Sequence, residues 1–137
     1  MNITVISVGK IKEKYFTAAI DEYSKRLSRF AKLNIIEVAD EKIPDNASEK
    51  EMEQIKEKEG NKILAKLPQN SFVVTLCIEG KEHSSEELAK KIADISMTSS
   101  HITFIIGGSL GLSNTVKSKS ALRLSFGKMT LPHQLMR

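Results

Sequence analysis

The sequence predicts an α/β fold with a mostly parallel sheet flanked by helices. Apolar, strand-like runs alternate with segments of helical period along the whole chain, which is the pattern of β-α units. The run FVVTLCI is apolar at nearly every position, as is typical of a strand covered on both faces of a parallel sheet. No repeat, low-complexity tract or linker interrupts the 137 residues, so we expect a single domain over residues 1–137.

The first elements follow from the spacing of the apolar residues. Residues 3–8 form a short apolar strand that ends at a Gly-Lys pair, and residues 15–30 carry apolar side chains at helical spacing. Residues 33–38 predict a second strand. The loop after it contains the Asp, Pro and Asn that mark exposed turns.

The remaining elements are predicted by caps and glycines. Ser48 and Glu51 form a capping-box pattern that opens a helix to residue 67, whose charged run EKEMEQIKEKEG we interpret as a solvated face. Ser84 and Glu87 open another helix that runs to about residue 97. The strands of this half are predicted at 71–80, 101–108 and 121–126, with a short helix at 114–119.

Composition narrows the classes of partner. A net charge of +4 indicates modest attraction to polyanions and suits a nucleic-acid substrate. No apolar run reaches the roughly 18 residues of a membrane span, and the N-terminus enters a strand without a leader pattern, so we expect a cytoplasmic protein. The single cysteine, Cys77, lies in an apolar run, where we expect a buried small hydrophobe.

Candidate chemistry lies after the strands, because ligands of open α/β sheets bind beyond the carboxyl ends of strands. Three glycine-bearing segments are predicted there: 76–80, 107–111 and 126–132. None has the spacing of a dinucleotide fingerprint or a phosphate-binding loop.

The three histidines are far apart in sequence and have no partner at metal-ligand spacing, so we expect no metal site. His83 and His101 are expected at the surface or at strand edges. His133 differs, because Pro132 predicts a helix start that would place His133 and Arg137 on one face beside a glycine loop. We therefore expect His133 to make a direct functional contact.

Five motifs together resemble the RlmH family of small SPOUT-class RNA methyltransferases, over the whole chain. They are ITVISVGKIKEKYF, VADEKIPDNAS, VVTLCIEGK, FIIGGSLGL and LSFGKMTLPHQLMR. The resemblance implies a C-terminal trefoil knot, a homodimer and no metal or membrane. It implies methylation by S-adenosylmethionine of N3 of pseudouridine 1915 in bacterial 23S rRNA, within the ribosome.

The resemblance also assigns site residues. Carried over position by position, the cofactor contacts are Leu76, Gly108, Gly127, Lys128, Met129, Thr130, Leu131 and Pro132. His133, with Arg137, is the candidate for catalysis. Phosphate contacts are expected from Lys10, Lys12, Lys14 and Arg137, because basic side chains supply the sequence-independent part of RNA affinity.

One departure from the family affects the expected activity. Family members continue for about one more helix past the HQ-x-MR motif, whereas this sequence stops at Arg137. We therefore expect this chain to bind the cofactor weakly and to methylate poorly or not at all, with an incomplete knot as one outcome of the missing helix. The alternatives are a non-catalytic RNA- or ribosome-binding protein of the same fold, and an α/β nucleotide-binding domain of another kind.

Overall fold

The computed structural model describes residues 1–137 and confirms the parallel α/β fold. Five strands form one sheet in the order β2-β1-β4-β3-β5, and every neighbouring pair is parallel. β1 is the second strand of the sheet. β2 lies beside it at one edge, and the three later strands lie on its other side. The strands are β1 Asn2–Val8, β2 Lys32–Val38, β3 Phe72–Glu82, β4 His101–Ile106 and β5 Leu122–Ser125.

Four helices connect the strands. They are α1 Lys14–Leu27, α2 Glu49–Lys66, α3 Ser85–Ser96 and α4 Asn114–Ser118. Both predicted capping boxes are confirmed, with Ser48 accepting from Glu51 N at 3.1 Å and Ser84 accepting from Glu87 N at 3.1 Å. No helix combines the length and the hydrophobicity that crossing a membrane requires.

Helix α1 ends three residues before the predicted boundary. Residues 28–30 form a turn, in which the Phe30 N–H donates to Leu27 O at 2.9 Å. Phe30 is 80% exposed, so no burial favours another helical turn there.

The core lies on both faces of the sheet. One face buries aliphatic side chains beneath α2 and α4, with Ile6, Ile63 and Val116 at its centre. On the other face, Val74, Ile102 and Leu124 pack against Ile95 of α3. Because apolar strands are covered on both sides, their ends are the places where side chains and backbone remain open to a ligand.

The segment at residues 76–80 lies within β3, as the predicted strand at 71–80 has it, but it contains an irregularity that the sequence did not predict. β3 continues to Glu82, but both Leu76 and Lys81 pair with Leu124, so the residues between them bulge out of the ladder. Gly80 permits this, because a Cβ at that position would lie 2.8 Å from the backbone of Arg123. The bulge therefore lies inside the strand and bends it beside β5.

The predicted C-terminal helix is wrong. Residues 133–136 form turns, and their one backbone bond is Leu135 N to Pro132 O at 2.9 Å. Six residues provide too few hydrogen bonds to offset the cost of helix nucleation. His133 and Arg137 consequently do not share a helix face. The trefoil knot stays a prediction.

Candidate functional site

A cavity of about 700 Å³ opens at the carboxyl ends of β3, β4 and β5, where the sequence predicted a ligand. Its volume lies within the range of sites that enclose a small molecule or cofactor. Three segments form its walls: the β3 bulge, the turn at 107–111 and the stretch from Phe126 to His133. These segments are far apart in sequence and meet because their strands are parallel neighbours.

The turn after β4 depends on glycine. Gly111 N donates to Gly108 O at 3.0 Å and closes the turn, with Gly111 at a φ of +82°. At Gly107, a Cβ would lie 2.7 Å from the carbonyl carbon of Gly111, closer than real contacts allow. The backbone at Gly107 and the backbone at Gly111 are therefore in close contact. Peptide groups without side chains face the cavity at this turn.

A second turn carries the chain from β5 across the cavity. The buried Ser125 hydroxyl accepts from Gly127 N at 3.1 Å and donates to Gly127 O at 3.1 Å. Gly127 has a φ of +124°, a conformation that side chains rarely adopt, and nothing lies within 4 Å of the point where a Cβ would stand. The turn therefore directs the following residues over the opening while leaving space above Gly127.

Most of the predicted cofactor residues meet at this cavity. The lining includes Leu76, Gly108, Gly127, Met129, Thr130, Leu131, Pro132 and His133. Lys128 does not belong to the lining, and neither does Arg137. The aliphatic Leu76 and Leu131 stand on different walls, so the cavity presents apolar surface from two sides together with the glycine backbone.

Sequence reasoning missed an ion pair on the cavity wall. Lys117 of α4 donates to Glu79 in the β3 bulge, and this bond is the main cause that lowers the pKa of the Glu79 carboxyl. The two residues are 38 positions apart. Because their proximity depends on the bulge, only the strand register brings them together.

Cys77 corrects the prediction of a buried core cysteine. It is half-buried and lines the cavity beside Glu79. Burial, followed by the nearby Glu79 charge, raises the pKa of the thiol. The thiol is therefore neutral near pH 7 and contributes a polarisable, uncharged wall.

Arg137 is held within the protein rather than presented to RNA. Its side chain is 2% exposed, and it donates to Glu37 Oε2 at 2.8 Å, to Val8 O at 2.9 Å and to Gly9 O at 2.6 Å. These acceptors lie at the carboxyl ends of β1 and β2. The guanidinium thus anchors the C-terminal segment, which forms one wall of the cavity, to the carboxyl ends of β1 and β2. The sequence did not predict this anchoring.

We expect Arg137→Met to weaken the anchoring of the C-terminal segment and so to destabilise the protein. The change removes three charge-assisted hydrogen bonds, but it also removes the cost of burying the guanidinium, and the part-exposed Glu37 regains water, so the net loss is that of about one such bond. Chemical denaturation should show a loss of about 1–3 kcal/mol. Arg123→Met, which removes an exposed guanidinium with a single bond to Lys117 O at 3.4 Å, is the control. Equal stability of the two variants would contradict the anchoring role.

Glu59 corrects the interpretation of the α2 charge run as a wholly solvated face. It is 6% exposed, accepts from Glu41 N at 3.0 Å and lies under the turn after β4, 3.5 Å from a Cβ position at Gly108. Burial is the main cause that raises the pKa of its carboxyl, and the charges of Asp40 and Glu41 add to the effect. The Glu59 carboxyl therefore packs beneath the glycine turn. Its burial destabilises the ionised form.

We expect Glu59→Gln to stabilise the protein near neutral pH. A folded-state pKa above the ordinary value means that the unfolded chain ionises first, so stability falls as pH rises through that range. The Gln oxygen still accepts from Glu41 N but carries no charge. Thermal melts should show the variant above wild type at pH 7 and the two equal near pH 3; a less stable variant at pH 7 would contradict this interpretation.

His133 stands between the cavity and the end of β1. It lines the cavity, and its Nε2 lies 3.7 Å from a Cβ position at Gly9, beside Asp40. No other histidine is near: His101 shares a hydrogen bond of 2.8 Å with Thr4 at the amino end of the sheet, as predicted for a strand edge. His83, predicted at the surface or at a strand edge, directly follows the end of β3, but its side chain is not at the surface: it is 7% exposed, and its Nε2 is buried without a partner.

Comparison with known proteins decides the family. The family described as "Predicted SPOUT methyltransferase" matches residues 1–137. The chain belongs to the SPOUT methyltransferase family. Its relatives include proteins named ribosomal RNA large subunit methyltransferase H in Clostridium novyi (60% identical), Clostridium botulinum strain Hall (62%) and Clostridioides difficile (58%). Each match spans all of this chain and 87% of the relative. The resemblance inferred from the five motifs is confirmed.

Membership of a methyltransferase family implies a methyl donor, and the cavity fits one of the size of S-adenosylmethionine. Its volume is sufficient, its glycine turns offer backbone N–H and C=O groups, and its aliphatic walls suit a flat aromatic ring. Leu76, Leu131 and Met129 would enclose the ring, while the backbone of Gly108 and Gly127 would meet its polar edge.

Proposed function

We propose that this chain is a cytoplasmic, S-adenosylmethionine-dependent methyltransferase that acts on a ring nitrogen, N3 of pseudouridine 1915, in 23S rRNA of the large ribosomal subunit. The observation that carries the proposal is the convergence of three segments on one cavity at the strand ends. The names of the relatives supply the substrate class.

The residues of the cavity bind and orient the donor. The aliphatic walls would exclude water from the ring of a bound cofactor, and the backbone groups of the two glycine turns would hydrogen-bond its polar edge. S-Adenosylmethionine supplies an electrophilic methyl group on a sulfonium. Because that group needs no protein nucleophile, the main tasks left to the chain are alignment of donor and base and removal of one proton.

His133 is the proposed acceptor of that proton. Its side chain lines the cavity, and its Nε2 lies 3.7 Å from the position that a Cβ would take at Gly9, at the end of β1. A neutral imidazole nitrogen takes up the ring N–H proton and passes it to solvent. Lys10, Lys12 and Lys14 follow Gly9 in the sequence and are exposed, so they would bind phosphates of the RNA at this end of the sheet.

We further propose that the chain acts as a homodimer. The segment after β5 exposes three large apolar side chains, Phe126 at 61% and Met129 at 78%, which line the cavity, and Leu135 at 55%. Covering them with a second copy would remove apolar surface from water and narrow the opening. Sedimentation of the chain with and without cofactor measures this directly.

The test is transfer of a labelled methyl group. Ribosomal large subunits that lack this modification are incubated with the 137-residue chain and radiolabelled S-adenosylmethionine, and the labelled nucleotide is mapped by digestion and mass spectrometry. Even slow incorporation into one pseudouridine supports the proposal. No incorporation at saturating cofactor, or label on a base other than pseudouridine, would overturn it.

A further inference from the structure

Two stretches of the chain carry an excess of positive charge. Residues 10–32 contain seven Lys or Arg and three Asp or Glu, a net charge of +4, and residues 95–137 contain five Lys or Arg and no acidic residue. Residues 33–94, with nine basic and fourteen acidic residues, are negative. We name residues 10–32 the basic edge. Because long-range attraction depends on how charge is distributed, a polyanion is attracted to the basic edge and to the C-terminal stretch rather than to the acidic part between them.

The basic edge reaches well beyond the cavity. It consists of the loop after β1, helix α1 and the turn into β2, which is the outermost strand on its side of the sheet. A helix of 14 residues is about 21 Å long, so α1 connects the cavity end of the sheet to the opposite end. Three basic residues stand at the cavity end; the far end carries Lys25, Arg26, Arg29 and Lys32.

The charges at the far end are free to bind. All four side chains belong to exposed residues, and Arg26 is the one that forms an ion pair, with Glu22 at 2.9 Å. Lys25 and Arg26 also lie in the last turn of α1, which cations favour. The far end therefore presents four solvated cations, three of which have no ion-pair partner.

Aromatic rings stand among these cations. Phe30 is 80% exposed and Tyr23 is 63% exposed, with the Arg26 guanidinium carbon 5.6 Å from the Tyr23 ring centre. A shallow groove of about 550 Å³ runs beside them between the end of α1 and β2, and Lys32, Leu33 and Ile35 line part of it. Exposed rings interleaved with cations are the usual means of binding unpaired nucleotides, since bases stack on the rings and phosphates meet the cations.

We propose that the far end of the basic edge binds a single-stranded segment of the RNA substrate, about 20 Å from the reacting base. This rests on the proposed function, which makes RNA the substrate. The charge favours RNA over a protein partner, because a protein surface that covered Phe30 would also have to neutralise four adjacent cations. The second contact would select folded RNA in which two unpaired segments lie that far apart.

The test compares two variants of the 137-residue chain with a matched control. Lys25→Gln with Arg29→Gln removes two cations from the edge, and Phe30→Ala removes the ring. Lys50→Gln with Lys90→Gln removes two exposed cations from residues 33–94, the acidic part of the chain. The probe is a uridine-rich RNA of about 20 nucleotides, long enough to exceed one single-strand binding site, followed by fluorescence anisotropy at several salt concentrations. Cofactor affinity is measured in parallel by calorimetry.

We expect the double edge variant to bind the RNA about tenfold more weakly, with the slope of log affinity against log salt reduced by about 1.4, that is, about 0.7 for each phosphate no longer neutralised. Phe30→Ala should lose about fivefold or more, as expected for one stacked base. The control should change less than about twofold, because its two cations lie outside the edge, and cofactor affinity should not change in any variant.

Unchanged RNA affinity in both edge variants would overturn the proposal. So would unchanged RNA affinity together with a shift in sedimentation, which would assign the surface to a second copy of the chain. Failure of the proposed function can be distinguished from failure of this proposal. It would appear as the absence of methyl transfer by the wild-type chain, whatever the RNA affinity of the variants.

Discussion

Replacing His133 with Ala lowers kcat for methyl transfer about 100-fold or more and changes cofactor affinity little. General-base catalysis typically contributes about 10²- to 10⁴-fold, and His133 is the histidine on the cavity wall. The side chain is part-exposed and lies in a turn, so its removal leaves the core intact. Single-turnover kinetics with saturating cofactor isolates this step from binding.

Two controls separate a proton acceptor from a merely structural residue. Added imidazole should restore part of the rate in His133→Ala, because a small base can occupy the space of the lost ring. His101→Gln, at the opposite end of the sheet, should retain the wild-type rate. A parallel fall in rate and cofactor affinity, without rescue by imidazole, would show that His133 serves as part of the cavity wall instead.

Gly107→Ala is expected to reduce cofactor affinity at least tenfold. The added Cβ would lie 2.7 Å from the carbonyl carbon of Gly111, which is backbone and cannot move as a side chain does. Either the turn opens or β4 shifts, and both displace the peptide surface at Gly108. A tenfold loss corresponds to about 1.4 kcal/mol, a modest fraction of the strain such an overlap implies.

Ser100→Ala is the matched control, because Ser100 is exposed just before the other end of β4 and is not part of the cavity lining. Calorimetric titration with S-adenosylmethionine, together with a thermal melt of each variant, measures both effects. Normal affinity and a normal melt for Gly107→Ala would mean that the turn is not part of the cofactor site.

The fold and the cavity follow largely from local signals in the sequence. The capping boxes at Ser48 and Ser84 fix helix starts because they satisfy orphan N–H groups within one turn of chain. The glycine turn at 107–111 is equally local. Parallel strands then bring the three predicted segments to one edge, which is why most of the cofactor residues inferred from the resemblance line one cavity.

The features that sequence reasoning missed depend on contacts between distant residues. The bulge in β3 arises from pairing with β5, and the Lys117–Glu79 pair depends on it. The burial of Arg137 depends on where the chain crosses β1. Glu59 did leave a local signal, because it is spaced four residues from both Ile55 and Ile63 on the buried face of α2.

The location of the cofactor site is the central claim, and amide chemical shifts of the ¹⁵N-labelled 137-residue chain test it most directly. On titration with S-adenosylmethionine, we expect shifts concentrated in residues 76–80, 107–111 and 126–133, with the amides of the basic edge beyond residue 14 unchanged. Binding that instead perturbs other strand ends, or no perturbation at millimolar cofactor, would contradict the account.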